Sequence, residues 1–528
     1  MYGILRFHVG RLADPALFDY CMAVTGRSRN LRNAALFRIR QWFTAYGKEE
    51  LQPLQKEVIE EVRRTCEVTG RKLPKKVLNY FFLDKLMRVT ENPDYFCGVP
   101  MQSAQAIVKE TVNEFRSWLK ALEAYKKDPS SFTGRPKMPG YTKADHRLIT
   151  MTNQDCVIYR SGASCHLKLP LTKERFNVYF PDNAVLKEVK IRPAYGEYEL
   201  ILVYVTKETF IPIGADARHI GGIDLGVNNI AAFVSNDGEA PILYKGGAVK
   251  STNRFFNCKK AELTGILMKG HDPKRVNVHT YKLHALSRKR TAFLRDEMHK
   301  ISSHIIRECV MREIGTLVIG VNRQWKTKAN MSKRSNQEFV SIPHSTLVHM
   351  IRYKAERIGI SVIEQEESYT SKASFLDNDA IPVYGDEGKH YFSGRRISRG
   401  LYRSKDGTIL SSDVNGSANI LRKAYPDAFD GITDYGFLQK VKTVKFHELH
   451  SSHKPSLHQK PTCNPGMDSG CVTTPEVVRH TVVIMTADRE TQVVRPSEAI
   501  IHMGLYPYRM DVVVHDWITR YVKKGNEL

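Results

Sequence analysis

The stretch Gly222-Ile223-Asp224-Leu225-Gly226-Val227-Asn228-Asn229 decides how this chain is read. Apolar residues run up to a single carboxylate, and a glycine two positions later lets the backbone turn tightly, so Asp224 can project from a strand end. Far downstream, Ser412-Asp413-Val414-Asn415-Gly416-Ser417-Ala418-Asn419-Ile420 sets a second acid, Asp413, ahead of a small-residue run that opens a helix. A strand-end aspartate is ordinarily just a turn former. The pair gains a functional reading because a helix beginning with small side chains packs closely, which would bring oxygen donors together. Hard divalent cations prefer such donors, and two of them can activate water and stabilise a leaving oxygen in phosphodiester cleavage.

Outward from this pair, the chain from His219 to about Tyr425 alternates strands with helices, the pattern of an α/β domain. Strands are expected at residues 222–229, 231–235, 316–319 and 360–365, and helices at 281–312 and 343–357. Upstream lie short alternating runs at 156–159, 185–191 and 198–205, a small β-rich module ending near Pro212. Before them, Pro and Gly break regular structure at 128–141, a junction with a basic surface. From about Ala16 to Tyr125 apolar residues recur at helical spacing, with helices expected across 33–43, 76–89 and 101–125.

The 528 residues suffice for several domains, each with its own core. Lys plus Arg number 80 against 56 acids, a formal charge of +24, which favours a polyanionic partner over a neutral small molecule. A merely solvated basic surface has the same charge. The nine cysteines include no C-x-x-C pair, which argues against a spaced zinc site and a disulfide framework and fits a reducing cytoplasm. No apolar run reaches the length of a bilayer span, so no membrane partner is expected.

Arg38 lies on the Asn33 to Phe43 helix, and Arg288, Lys289 and Arg290 lie on the basic run Leu286 to Lys300. These side chains either meet phosphates, with counterion release, or form solvated helix faces. His299 reads as a surface or packing histidine. His447, His450 and His453 specify no fourth ligand, so a polar linker is expected there rather than a metal site.

Several further runs carry a resemblance. Val318-Ile319-Gly320-Val321-Asn322-Arg323-Gln324-Trp325-Lys326, Asn336 to Pro343, Tyr353-Lys354-Ala355-Glu356, Glu366-Glu367-Ser368-Tyr369-Thr370-Ser371-Lys372 and Phe392-Ser393-Gly394-Arg395-Arg396-Ile397-Ser398-Arg399 closely resemble the OrfB/TnpB family, the transposon-encoded relatives of type V CRISPR effectors. With the 132–141 junction and the 33–41 helix, the resemblance covers most of residues 16–425.

The resemblance implies a multidomain α/β protein with an RNase H-like RuvC nuclease domain, a helical recognition domain and a β-barrel wedge domain. The wedge would start at 1–15 and continue at 128–214, around a recognition domain at 16–127. The nuclease domain would take 215–428, with a basic insert near 372–411, leaving 429–528 unassigned. The implied activity is RNA-guided cleavage of DNA beside a short transposon-adjacent motif, with a guide RNA and target DNA as partners in a prokaryotic cytoplasm, on the nucleoid when bound to DNA. Asp224 and Asp413 match the first and third acids of the site, which would hold two magnesium ions, or manganese in their place. Lys326, Arg395, Arg396 and Arg399 are further candidates for nucleic-acid contact.

Two departures stand out. The family's usual second acid follows the strand at 316–319, where this chain has Gly320 and Asn322. Some relatives carry the glutamate on the neighbouring strand, where Glu366 and Glu367 stand here. Successive strand residues face opposite sides, so one of the two turns toward the metals, and Glu367 is expected to be that one. An exposed acidic strand end is the competing reading, and with it a nuclease-inactive, RNA-guided DNA-binding repressor. The second departure is the lack of any cysteine between Lys372 and Ser411, where many relatives hold zinc; zinc is not expected.

Overall fold

The computed structural model describes residues 2–451, except 97, 163, 207–218, 273–278, 322–340, 384, 386, 387 and 399. Lys326, Arg399 and His453 lie outside the described residues. The chain divides into two compact units, Met1–Thr209 and Phe210–Leu528.

The first unit opens with β1 (Tyr2–Val9), followed by α1 (Pro15–Ala45), α2 (Pro53–Thr69), α3 (Tyr80–Val89), α4 (Pro93–Phe96) and α5 (Met101–Lys127). Asp14 caps α1, its side chain accepting the Leu17 N–H at 3.0 Å, and Pro15 supplies the preset φ of a first helical residue. The helix expected over 76–89 begins only at Tyr80, because Asn79 caps it by accepting the Phe82 N–H at 2.8 Å. Leu31, Leu36, Ile39, Leu83 and Phe115 are fully buried between the helices.

The strands of this unit are β2 (Ile149–Thr152), β3 (Val157–Ser161), β4 (Ser164–Lys168), β5 (Arg175–Val178), β6 (Ala184–Ala194) and β7 (Glu197–Thr206). They form a four-stranded sheet ordered β1-β7-β6-β2 and a separate three-stranded sheet ordered β3-β4-β5. The amino-terminal strand thus pairs antiparallel with β7, from Tyr2 opposite Val205 to Val9 opposite Tyr198. Among the described residues no ring of paired strands closes into a barrel: β1 and β2 remain edges, and the short strands β3 to β5 pair only with one another.

The second unit is built on β8 (His219–Leu225), β9 (Asn229–Ser235) and β10 (Ile242–Lys245), then α6 (Gly247–Met268), α7 (Tyr281–Met311), β11 (Ile314–Val321), α8 (His344–Arg357) and β12 (Ser361–Glu366). After them come β13 (Arg395–Ser398), β14 (Leu401–Arg403), β15 (Ile409–Ser411), α9 (Ser412–Ala424), β16 (Lys442–Val444) and α10 (Phe446–Ser451). The main sheet has the order β12-β11-β8-β9-β10-β16. β8, β9 and β10 form an antiparallel meander, whereas β11 lies parallel to β8 and β12 parallel to β11. β13 to β15 form a small antiparallel sheet in the basic insert.

Both faces of the main sheet are covered, which explains its nearly unbroken apolar strands. Ile223, Phe233, Leu317 and Ile319 pack toward Met298, Ile305 and Ile351 of α7 and α8. Ala232, Val234, Leu243 and Val318 pack toward Val414, Ala418 and Leu421 of α9. The strand expected over 222–229 is two strands, because the chain reverses at Gly226 to Asn228.

Candidate active site

β8 and β11 run side by side with Ile319 opposite Ile223, so Asp224 lies one residue past their last pair, beside Gly320. β12 pairs Gly320 with Gln365 and Val321 with Glu366, which puts Glu367 immediately beyond the strand end. A Cβ on Gly320 would stand 3.3 Å from Glu367 Oε2, so the glutamate reaches across the middle strand toward Asp224. The third acid arrives on α9. That helix lies directly against the sheet backbone: a Cβ on Gly222 would be 2.7 Å from the Ser417 carbonyl oxygen, and Ser417 Oγ donates to the Gly222 and Ala232 carbonyls at 2.8 and 3.1 Å. A Cβ on Gly416 would fall 2.6 Å from Asp224 Oδ2. Two absent side chains therefore let Asp413, in the first turn, approach the strand ends.

All three acids are half-buried. Burial pushes the Asp224 carboxyl well above the usual carboxylate range, and the negative charges of Glu367 and Asp413 push it further, while Arg396 opposes them. Asp413 is oriented by Asn229, whose Nδ2 donates to Oδ2 at 2.6 Å. The Gly226 turn is held by buried His344, whose Nε2–H donates to the Gly226 carbonyl at 2.9 Å.

Glu366 and Glu367 part company here. Glu366 accepts from Lys423 Nζ at 2.7 Å and from the Ser368 N–H at 2.5 Å. Burial alone would raise its carboxyl, but the Lys423 and Ser368 hydrogen bonds outweigh that and hold it below its ordinary value. Past Glu367 the chain turns sharply: Tyr369 has φ 66°, in the left-handed region a non-glycine residue rarely enters, and Thr370 Oγ1 donates to the Glu367 carbonyl at 2.8 Å. Asn419 of α9 ties this loop down by donating to the Thr370 and Ala373 carbonyls at 2.9 and 2.7 Å.

The other residues expected to meet nucleic acid scatter. Arg38 is only 9% exposed, with Nη2 on Glu61 at 2.6 Å and Nη1 on the Ala34 carbonyl at 3.3 Å, so it holds α1 to α2. Arg290 is engaged too, donating to Asn253 at 2.7 Å and to the Ser341 carbonyl at 3.2 Å while stacking on Phe256. Arg288 is half-buried and Lys289 is exposed. Arg395 and Arg396 are exposed on β13, and the Arg396 charge reaches Asp224. Sequence reading passed over Asn229 and His344; Asn229 sat inside the deciding stretch, but its role depends on an acid 184 residues away.

Among the described residues no three His, Cys, Asp or Glu side chains stand as a ready metal-binding group. The donor chemistry nevertheless suits a hard cation: carboxylate oxygens lie beside Gly416, where a Cβ would meet Asp224 Oδ2, and near Gly320, where a Cβ would meet the Ile420 side chain first and Glu367 Oε2 at 3.3 Å.

Fold and site together define an α/β protein that gathers carboxylates at one end of a mixed sheet. Residues 215–326 match the family OrfB_IS605, described as a probable transposase, and residues 344–420 match a Cas12f1-like TNB domain. These two segments of the second unit are thus similar to OrfB and Cas12f1-like proteins. It is 28% identical over 213 residues to the TnpB-like protein ORF457 of Acidianus two-tailed virus, across 39% of this chain and 42% of that protein, so it spans less than half of that relative's length. A cryo-EM structure of a Cas12f1-sgRNA-target DNA complex covers 75% of this chain and 82% of its own at 15% identity and a TM-score of 0.45. A CRISPR-Cas12f ternary complex covers 75% and 81% at 15% identity and a TM-score of 0.28.

Proposed function

We propose that the chain is an RNA-guided DNA endonuclease with a RuvC-type site, cutting beside a short adjacent motif. The observation that carries this reading is the nearness of Glu367, just past β12, and Asp413, at the start of α9, to Asp224 at the end of β8, close enough for their charges to act on it though not arranged as a ready metal-binding group. The strand order, an antiparallel meander flanked by two parallel strands, supports an RNase H-like core. The family-model matches and the +24 charge support a guide RNA and target DNA as partners, and the first unit is read as recognition helices with a wedge whose described strands close into no ring.

Asp224, Glu367 and Asp413 would hold the divalent ions, magnesium or manganese, which when bound supply charge for the leaving oxygen and lower the pKa of water. The chain's own residues then have separable tasks. Asn229 fixes Oδ2 of Asp413 at 2.6 Å, while Oδ1 accepts only a long hydrogen bond from Ser412 Oγ at 3.4 Å. Lys423 and Ser368 engage Glu366, so the strained turn presents Glu367 alone. Arg396 faces the acids from the insert, where a guanidinium suits a phosphodiester.

Protein purified with its co-expressed flanking RNA, given magnesium and a plasmid bearing a guide-matched target beside randomised sequence, is expected to cut it. Asp224→Ala and Glu367→Gln should each lower cutting by at least a hundredfold and leave RNA binding unchanged, while Glu366→Gln keeps most of it. Equal cutting by Glu367→Gln and the parent would remove that residue from the site. Target binding without cutting would favour the binding-only repressor, a reading motivated by Gly320 and Asn322 standing where relatives carry an acid.

A further inference from the structure

The 132–141 junction is not a slack linker. Trp118 Nε1 of α5 donates to the Pro136 carbonyl at 3.1 Å, and Arg40 and Arg32 of α1 donate to the Pro139 and Gly140 carbonyls at 2.9 and 2.7 Å. Asn33 grips Thr142 from both sides, donating to its carbonyl at 3.1 Å and accepting its N–H at 2.9 Å. Arg32 is itself only 7% exposed and paired with Glu114 at 2.7 Å. Pro136 and Pro139 restrict the backbone further. The result is an extended strap, Pro136 and Met138 half-buried beneath it and Arg135, Lys137 and Lys143 exposed along its outer edge. None of these three cations makes a side-chain ion pair or hydrogen bond among the described residues.

Buried and half-buried donors thus hold the backbone of an exposed segment, leaving its three cations unneutralised on a fixed backbone. In an extended chain Arg135 and Lys137 sit about 6–7 Å apart on one edge. We infer that this strap is a preformed ledge for the phosphate backbone of duplex DNA. A row of cations on a held backbone meets a stiff duplex without the cost of ordering the chain that carries them. Single-strand recognition would want open aromatic platforms, and the strap's one exposed ring, Tyr141, already has the Arg40 guanidinium over it at 5.1 Å. The inference takes only the nature of the polyanion from the proposed function and needs no cleavage.

The test is fluorescence anisotropy of the full chain, without guide, on a labelled non-target DNA duplex across a potassium chloride series. Each duplex phosphate contact contributes about 0.9 to the slope of log affinity against log salt. Arg135→Gln, Lys137→Gln and Lys143→Gln together should make the slope shallower by about 2 to 3, while Lys56→Gln, Arg63→Gln and Arg64→Gln together, on α2, should move it less. Trp118→Phe keeps an aromatic ring and the net charge but frees the Pro136 carbonyl. It should speed tryptic cleavage after Lys137 and weaken duplex binding severalfold. Equal slope changes for the two triple variants would reduce the ledge to diffuse charge and overturn it, as would an unchanged slope for the first. A loss seen with guide RNA but not with duplex DNA would overturn the DNA assignment. Failure of the nuclease reading would appear as absent cleavage with these slopes unaffected.

Discussion

Asp224 shows how much a single position depends on what its neighbours lack. Its carboxyl is raised by burial first and by Glu367 and Asp413 second, and it is Gly416 that leaves room for its Oδ2. Gly416→Ala should therefore act on the site more than on the fold. The new Cβ meets the free end of a side chain at 2.6 Å, which can swing aside, rather than backbone. The expected result is a melting temperature within a few degrees of the parent, since alanine also favours the helix by about 0.8–1 kcal/mol, with guided cleavage at least tenfold lower. Unchanged cleavage would mean that Asp224 needs no space at Gly416. The same scale shows why Glu367 was legible only as one of two. Adjacent strand residues face opposite ways, a rule that separates Glu366 from Glu367 without saying which turns inward; Lys423, 56 positions beyond Glu367 in the chain, settles where Glu366 goes.

At the scale of elements, strands and helices with strong apolar periodicity were readable in advance. The helices expected at 281–312 and 343–357 appear as Tyr281–Met311 and His344–Arg357, and the strands expected at 316–319 and 360–365 appear within or beside β11 and β12. β16 was not readable, because Lys442–Val444 is too short for any period, and it exists by pairing with β10. The join between α9 and the sheet is the element contact on which the site rests. Gly222→Ala would press a Cβ to 2.7 Å from the Ser417 backbone oxygen, and a helix backbone cannot yield as a side chain does. The expected cost is about 1–3 kcal/mol, as for other overpacked cores, read as an earlier midpoint in urea together with lost cleavage. An unchanged midpoint would show that α9 does not need its close seat on β8.

Across the whole molecule, α7 and α8 meet around a buried cation. Lys354 is 2% exposed, and its ammonium donates to the His299 carbonyl and the Ser302 and Ser303 hydroxyls at 2.8, 2.6 and 2.8 Å. Burial, with a smaller push from Arg357, lowers its pKa from 10.5 to about 7. Between those values the unfolded chain holds a proton that the folded chain has released, so stability should climb as pH rises from about 7 toward 10, by at most about 1.4 kcal/mol per unit from this group. Denaturation of parent and Lys354→Met at pH 7 and 9.5 checks it: the variant should lose that climb, and identical pH dependence would show that Lys354 stays charged throughout. Composition, charge and period alone determined that this is a basic, multidomain α/β chain with acids at Asp224 and Asp413, because those properties are local or additive. Where Glu366 is held, that Arg38 is buried, that the 132–141 segment is strapped down, and that the described strands of the first unit close into no ring were decided only by tertiary structure. Each depends on a partner distant in sequence, and neither periodicity nor propensity records which distant groups the folded backbone brings within hydrogen-bonding reach.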